Sequence, residues 1–521
     1  MAGRRLRRTT PQLHPSQRLR RHRGHHPGGH HGHEQRARRR RRPQRPPAAT
    51  LRLPPRLRRR TPAPTHRPRG PPPRLAAHRP HRVADQARHR RRARRRRGLG
   101  PRATPARRTR RMTPPGLSAP EQRLCAAIAA RADDLLADLA LHVSIPTGMG
   151  HTPGLDECRQ RFTDRLVALG GTLTLHPGDL RPQWLAESSE MAAPRGAAPP
   201  PTAICTRLAP ASRCRILLCG HLDTVHDPAG PFRSLTLSPD RTRATGPGCV
   251  DMKGGLVIAL AALEALESCG VPTSWGFALN SDEETGSFHS DAALRREARG
   301  YDVGLVMEPA LPDGSLVIER PGSGQFRIDC EGTPAHVGRD FASGRSAILA
   351  LAECARRVSE LVDLPAGRIA SLGVIRGGTA TNVVAPSATG WGNIRFRTEP
   401  DGEAMRASLL AMCRSEPGLR VSVECVLNRP AKPQMHGVTA LANAARAAAD
   451  SLGQRLPFGT TGGVCDGNNL QAAGLPTIDT LGVRGGGLHT PSEWIEVASL
   501  VERCQLLAVL IARLSERGIS A

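Results

Sequence analysis

An α/β fold on a mainly parallel sheet, with a smaller ferredoxin-like α+β domain inserted into it, is what this sequence predicts. Three observations carry that prediction. From residue 215 to residue 307, short apolar runs alternate with amphipathic helical stretches, the pattern of a parallel sheet with helices on both faces. From Gly324 the pattern becomes strand–helix–strand–strand–helix–strand, the split βαβ order, and after Pro430 the α/β character returns. Histidines and carboxylates recur just past the ends of the apolar runs, where α/β sheets place ligands.

The elements follow in order. Leu124, Ile128, Leu135, Leu136 and Leu139 share a helical face and predict a helix over 119–142. A second helix is predicted over 157–169, ended by Gly170-Gly171. Residues 182–204, rich in Pro and Ala, read as a surface excursion. Strands are predicted at 215–219, 275–279 and 301–307, with a helix over 253–267. In the inserted part, Phe326, Ile328 and Cys330 alternate along a half-buried strand at 324–330. A helix over 345–363 follows, then strands at 371–375 and 390–396, a helix at 402–413 and a strand at 421–426. Helices at 438–452 and 497–515 complete the chain. The boundaries are therefore 112–318 and 429–521 for the two parts of the large domain and 319–428 for the insertion.

Composition separates residues 1–111 from the rest. They hold 38 Arg, no Lys and two acids, Glu34 and Asp85, a net of +36 against +31 for the whole chain. The remainder is therefore net negative, and the extreme pI belongs to this leader. It has no Phe, Trp, Tyr or Cys and cannot bury enough apolar surface to offset its ordering entropy, so it is expected to be disordered. A basic tail can bind nucleic acid through phosphate charge alone. A targeting segment is the second reading, but no apolar stretch follows the arginines. The reading preferred is upstream GC-rich sequence ahead of a start at Met112, since Lys253 and Lys432 are the only lysines. Nucleic acid is therefore an unlikely partner. The 13 Cys are odd in number and scattered, without C-x-x-C, which favours free thiols in a reducing compartment. No apolar run is long enough to span a membrane. A cytoplasmic protein is expected.

Five segments carry the chemistry. His221-Leu-Asp223 follows an apolar strand, and residues i and i+2 of an extended chain share a face. Asp223 can then hold the far nitrogen of His221; a surface His and a turn Asp are the plain alternative. Asp251 lies in a glycine-rich turn before a helix, where a metal-bridging carboxylate and a simple N-cap both fit. Glu283 and Glu284 repel each other unless metal or a proton neutralises one. One can bind metal while the other takes a proton from water; a solvated acidic turn is the alternative. Glu308 ends the 301–307 strand, and His489 sits in a Gly-rich loop. Two imidazoles with several carboxylates form a donor set suited to zinc. Two metals can activate a water and polarise a carbonyl together, so amide hydrolysis is the leading reading.

His221-Leu-Asp-Thr-Val, Gly-Cys-Val-Asp251-Met-Lys-Gly-Gly, Asp282-Glu-Glu-Thr-Gly-Ser, Glu308-Pro and Gly-Gly-Leu-His489 resemble, in order and approximate spacing, one zinc-dependent amidohydrolase family. It contains acetylornithine deacetylase, succinyl-diaminopimelate desuccinylase, aminoacylase and bacterial glutamate carboxypeptidase, the last being most similar. The resemblance covers most of residues 119–517. It implies a large di-metal catalytic domain and an inserted lid and dimerisation domain. It implies two Zn2+ per subunit, with Co2+ or Mn2+ also suited to the donors. His221, Asp251 and Glu308 would hold one metal, and Asp251, Glu284 and His489 the other. Glu283 would be the general base and Asp223 would orient His221. His336 would stabilise an oxyanion, typically from a partner subunit. Asn382 would contact substrate, Arg429 would grip its free carboxylate, and Gly462-Gly463 would form a backbone loop beside it. Cys465 stands where many relatives carry Ser. The implied substrate is an N-acyl amino acid or short peptide, and the implied assembly a homodimer. A carboxypeptidase is the first reading; an N-acyl-amino-acid deacylase or a dipeptidase is the alternative.

Overall fold

A computed structural model describes residues 116–148, 150–186 and 198–519. The Arg-rich leader and the start at Met112 lie outside the described residues. The central sheet has six strands, in the order Thr172–His176, Thr202–Arg207, Ser274–Asn280, Arg215–His221, Val303–Val306 and Thr477–Ile478. The last four run parallel to one another. Their carboxyl ends therefore share one edge, which is where His221 sits and where the chain runs on to Glu283, Glu284 and Glu308.

The helix Gly254–Ser268 is apolar on nearly every side and is buried between this sheet and the last helix, Ala498–Arg517. Gly255 allows the close approach: a Cβ there would meet the Met307 carbonyl oxygen at 2.1 Å. At the amino end, a capping box of Ser118 and Glu121 starts the helix Ala119–Ala129. The single helix expected over 119–142 is two, Ala119–Ala129 and Ala132–Ser144. No Gly or Pro marks that break; packing against the two central helices overrides local propensity. Of the predicted excursion, residues 187–197 lie outside the described residues, Gln183–Ala186 is a short helix and Thr202–Arg207 joins the sheet.

The inserted unit has the predicted βαββαβ order. Its sheet runs Ile369–Gly377, Ser387–Phe396, Gly322–Glu331, Leu419–Arg429, with a short fifth strand Arg414–Glu416. The helices Ala347–Ser359 and Glu399–Leu410 cover one face, over a core containing Phe326, Ile328, Ile394 and Phe396. Where the chain enters and leaves this unit, Arg320 and Lys432 pair by reciprocal backbone hydrogen bonds of 3.0 Å. Both side chains reach buried Asp479, at 2.8 Å and 3.3 Å. The other lysine, Lys253, is also buried and donates to the carbonyls of His142 and Ile145.

His142 is buried against Phe162, ring centroids 4.1 Å apart. Burial, opposed in part by Asp138, pushes its pKa down to about 4. The unfolded chain therefore binds more protons between pH 6.5 and pH 4, and this group's contribution is full above that window and lost on descending through it. His142→Gln, which cannot take up a proton, is expected to remove on the order of 3 kcal/mol of that acid-side loss. Urea midpoints at pH 7, 5.5 and 4.5 measure it; identical pH slopes in both proteins would contradict it.

Candidate metal centre

His221 ends the strand Arg215–His221 and is buried. Its Nε2 faces Asp251 Oδ1 at 3.3 Å. Burial alone would lower its pKa, but Asp223 and Asp251 outweigh burial and hold it well above the ordinary value. Its Nδ1 lies 2.9 Å from the Asp223 carbonyl oxygen and 3.5 Å from the Asp223 carboxylate. That carboxylate accepts the backbone N–H of Glu283 at 3.2 Å and of Glu284 at 3.0 Å. Asp223 thus meets His221 mainly through its own carbonyl, while its side chain pins the Glu283-Glu284 turn. The turn tightens through Gly286 at φ +100°.

Asp251 follows the turn at Gly248, φ +68°. Its Oδ2 lies 3.4 Å from His489 Nε2, so each carboxylate oxygen faces a different imidazole. Those two histidines outweigh the effect of burial and hold its pKa far below the usual range. His489 reaches in from a loop where it adopts φ +62°, and its Nε2 also lies 3.3 Å from Glu284 Oε2. Asp251 and Glu284 push His489 up to about 10. Burial raises Glu284 and pushes Glu308 up to about 8, the latter aided by the charge of Asp251. Ligand atoms of His221, Asp251 and Glu284 all lie within 4.8 Å of one another.

Glu283 is largely enclosed, its side chain 11% exposed, and desolvation raises its pKa well above the carboxylate range against the pull of Arg429. Arg429 ends the strand Leu419–Arg429. Its Nη2 donates to Glu283 Oε1 at 2.7 Å and its Nη1 to Asp466 Oδ1 at 2.8 Å. The expectation that Arg429 grips a substrate carboxylate thus meets a different arrangement. Its guanidinium is fully buried and already serves two carboxylates of the protein.

A cavity of about 770 Å³ collects Asp251, Glu283, Glu284, Glu308 and His489 on one side. The inserted sheet supplies Ser323, Gln325, Asn393, Arg395, Asn428 and Arg429, and Gly463 lines it as well. Gly463 fixes Arg320 by accepting from its Nη1 at 3.1 Å. Gly462, His336 and Asn382 do not line this cavity. His336 and Asn382 are exposed and adjacent on the inserted unit, Val337 N donating to Asn382 O at 3.0 Å.

The donor set fits divalent cations. His221 Nε2, Asp251 Oδ1 and Glu308 Oε1 are buried and have no hydrogen-bond partner, the first two facing each other at 3.3 Å as an ion pair. Buried polar atoms of this kind are costly unless something satisfies them. Imidazole and carboxylate donors together suit zinc and its neighbours. Three further residues belong to the site. Arg395 was within reach of the alternation along its strand, since Ile394 and Phe396 face the core and Asn393 and Arg395 the other side. Asp466 and Glu493 are buried carboxylates that no local sequence pattern marks.

Residues 217–513, more than half of the chain, match the model of peptidase family M20/M25/M40. The chain belongs to that family. Carboxypeptidase G2 of a Pseudomonas species is 28% identical over 303 residues, covering 57% of this chain and 73% of that protein. Succinyl-diaminopimelate desuccinylase of Methylorubrum populi is 29% identical over 330 residues, covering 59% and 83%. Among solved structures, the di-peptidase Dug1p of Saccharomyces cerevisiae superposes with a TM-score of 0.61 at 15% identity, covering 76% of this chain and 98% of that one. The M20 chain is a hydrolase.

With Glu308 raised to about 8 and His489 to about 10, a cation taking these two side chains as ligands at neutral pH would have to displace their protons. Titrating metal-free protein with Zn2+ at pH 7 is therefore expected to release protons and to bind more tightly as pH rises. Calorimetry in buffers of different ionisation enthalpy measures this; binding without proton release would contradict it.

Proposed function

We propose that this M20 hydrolase is a two-metal enzyme that cleaves the amide bond next to an amino acid bearing a free carboxylate, in the manner of a glutamate carboxypeptidase. The observation that carries this reading is Asp251, whose two oxygens face His221 and His489 separately, 3.3 Å and 3.4 Å away. In this reading His221, Asp251 and Glu308 hold one ion, and Asp251, Glu284 and His489 the other. Zinc is the first expectation, and Co2+ or Mn2+ suits the same donors. Bound there, a metal pair supplies Lewis acidity and a water of lowered pKa.

The chain's own residues do the rest. Glu283 accepts the proton of the attacking water and returns it to the departing nitrogen. Desolvation raises its pKa above the ordinary carboxylate value, the direction a proton acceptor near neutral pH requires. Arg429, backed by Asp466, holds the Glu283 carboxylate in place. Among the described residues no carboxylate pairs with Arg395, which bonds only to neutral groups, Asn393 among them. Arg395 therefore takes the role first expected of Arg429, receiving the substrate carboxylate, and Arg181 also lines the cavity.

His336 and Asn382 lie outside the cavity of one copy, which fits a contribution from a partner copy. The edge strand Ile369–Gly377 and the neighbouring helix expose Ile375 and Leu349, 60% and 70% accessible, an apolar surface suited to a homodimer through the inserted unit. All 13 cysteines are unpaired, in keeping with a reducing, cytoplasmic setting. No helix among the described residues is long and apolar enough to cross a membrane.

A panel of N-acyl amino acids and dipeptides, with and without chelator, tests the reading and separates carboxypeptidase from deacylase and dipeptidase. Hydrolysis indifferent to chelation would sink it. Glu283→Gln is expected to keep its metal and lose several orders of magnitude in kcat; near-native turnover in a metal-replete sample would refute the base assignment. Arg395→Ala is expected to raise KM about tenfold or more for substrates with a free carboxylate, the loss of one charge-assisted pair. Amidated substrates, already lacking that carboxylate, should change little; an equal rise for both would reject the role.

A further inference from the structure

We infer that Glu493 is a positioning residue that sets the spacing of three loops bearing the proposed metal ligands, an inference that rests on the two-metal reading above. Glu493 lies four residues past His489 and is buried, 1% exposed. Its Oε1 accepts the backbone N–H of Val250 at 2.9 Å and of Asp251 at 3.0 Å. Its Oε2 accepts the Gly248 N–H at 2.9 Å and lies 2.6 Å from His226 Nε2. Four donors thus converge on one carboxylate, the full complement its two oxygens accommodate.

The four donors come from two loops, and Glu493 itself belongs to a third. Gly248, Val250 and Asp251 form the turn that aims the Asp251 side chain. His226 stands on the loop that begins with His221 and Asp223, its ring edge-on to Phe232 with centroids 5.1 Å apart. The main chain of Glu493 belongs to the third loop: its N–H bonds to the Thr490 carbonyl at 3.2 Å, one residue from His489, and its carbonyl accepts the Gly246 N–H at 3.1 Å. Consecutive backbone N–H groups in such a turn make a concave site for an anion. Here the protein fills that concavity with its own carboxylate. Gly248 is required for the turn, since its φ is +68° and a Cβ would meet Thr224 Cγ2 at 2.6 Å. Nothing in Glu493 touches the cavity, so its influence passes through Asp251 and His489.

Glu493→Gln keeps the shape but sets an amide NH2 against a backbone N–H in either orientation. Outer residues that orient metal ligands affect affinity by about 10–100-fold when lost. Metal-free full-length protein titrated with Co2+ against a chromophoric chelator is expected to bind about 10–100-fold more weakly in Glu493→Gln, with an altered Co2+ visible spectrum. KM at saturating metal should move little while kcat falls. His226→Ala, which removes one contact of four, should weaken Co2+ several-fold and keeps the test open if the Gln variant does not fold. A merely structural Glu493 would lower the Tm of the metal-free variant and leave Co2+ affinity and spectrum unchanged, and that result overturns the inference. Wild-type protein that binds no Co2+ overturns the two-metal reading and this inference with it. Tight wild-type binding with both variants unaffected overturns this inference alone.

Discussion

Negative charge held out of water is the constraint to which the site answers. Asp251, Glu283, Glu284 and Glu308 face one cavity, and carboxylates so close resist ionisation unless something opposes their charge. Each has its own answer. Two imidazoles stand against Asp251, His489 also stands against Glu284, and Arg429 stands against Glu283. Glu308 has no ion pair among the described residues, and burial and the charge of Asp251 push it up to about 8. Around them, Asp223 and Glu493 each combine turn amides with one imidazole, His221 and His226 respectively. The parallel sheet makes this crowding feasible because four strands deliver their following loops to the same edge.

Periodicity made most of the fold legible. The strand Ser274–Asn280 and the helix Gly254–Ser268 fall within a residue or two of where their apolar patterns placed them. The break at Ala130-Arg131 was not legible, because neither residue disfavours a helix and the cause lies in distant packing. The site divides the same way. His221, Asp251, Glu284 and His489 could be picked out because ligand-type side chains stand beside glycines or at strand ends, and these four do meet. What a side chain pairs with is a different matter. Arg429 and Glu283 are 146 positions apart, and Asp251 and Glu493 are 242 apart, separations at which no local rule names a partner. Arg429 reads as a substrate clamp from its residue type; its pairing with Glu283 and Asp466 was not legible in the sequence.

The inserted unit meets the large one at more than its two covalent connections. Trp184 and Leu185, in the short helix Gln183–Ala186, pack with Trp391 of the inserted sheet, and Trp391 Nε1 donates to the Trp184 carbonyl at 3.3 Å. The connections themselves are joined by Arg320, Lys432 and Asp479, two cations and one anion away from solvent. Breaking such a buried group by removing one partner is strongly destabilising. A cavity wall built from both units therefore keeps its geometry through polar anchorage at the joint as well as through apolar packing.

The placement of Lys253 and Lys432 has a practical corollary for anyone handling the protein. They are the only lysines in the sequence, and both ε-amines are enclosed. The folded surface consequently offers no primary amine except an α-amino terminus. Acylating dyes and amine-directed cross-linkers should therefore label the folded chain at one point at most, and labelling at either lysine would report that the interior has opened.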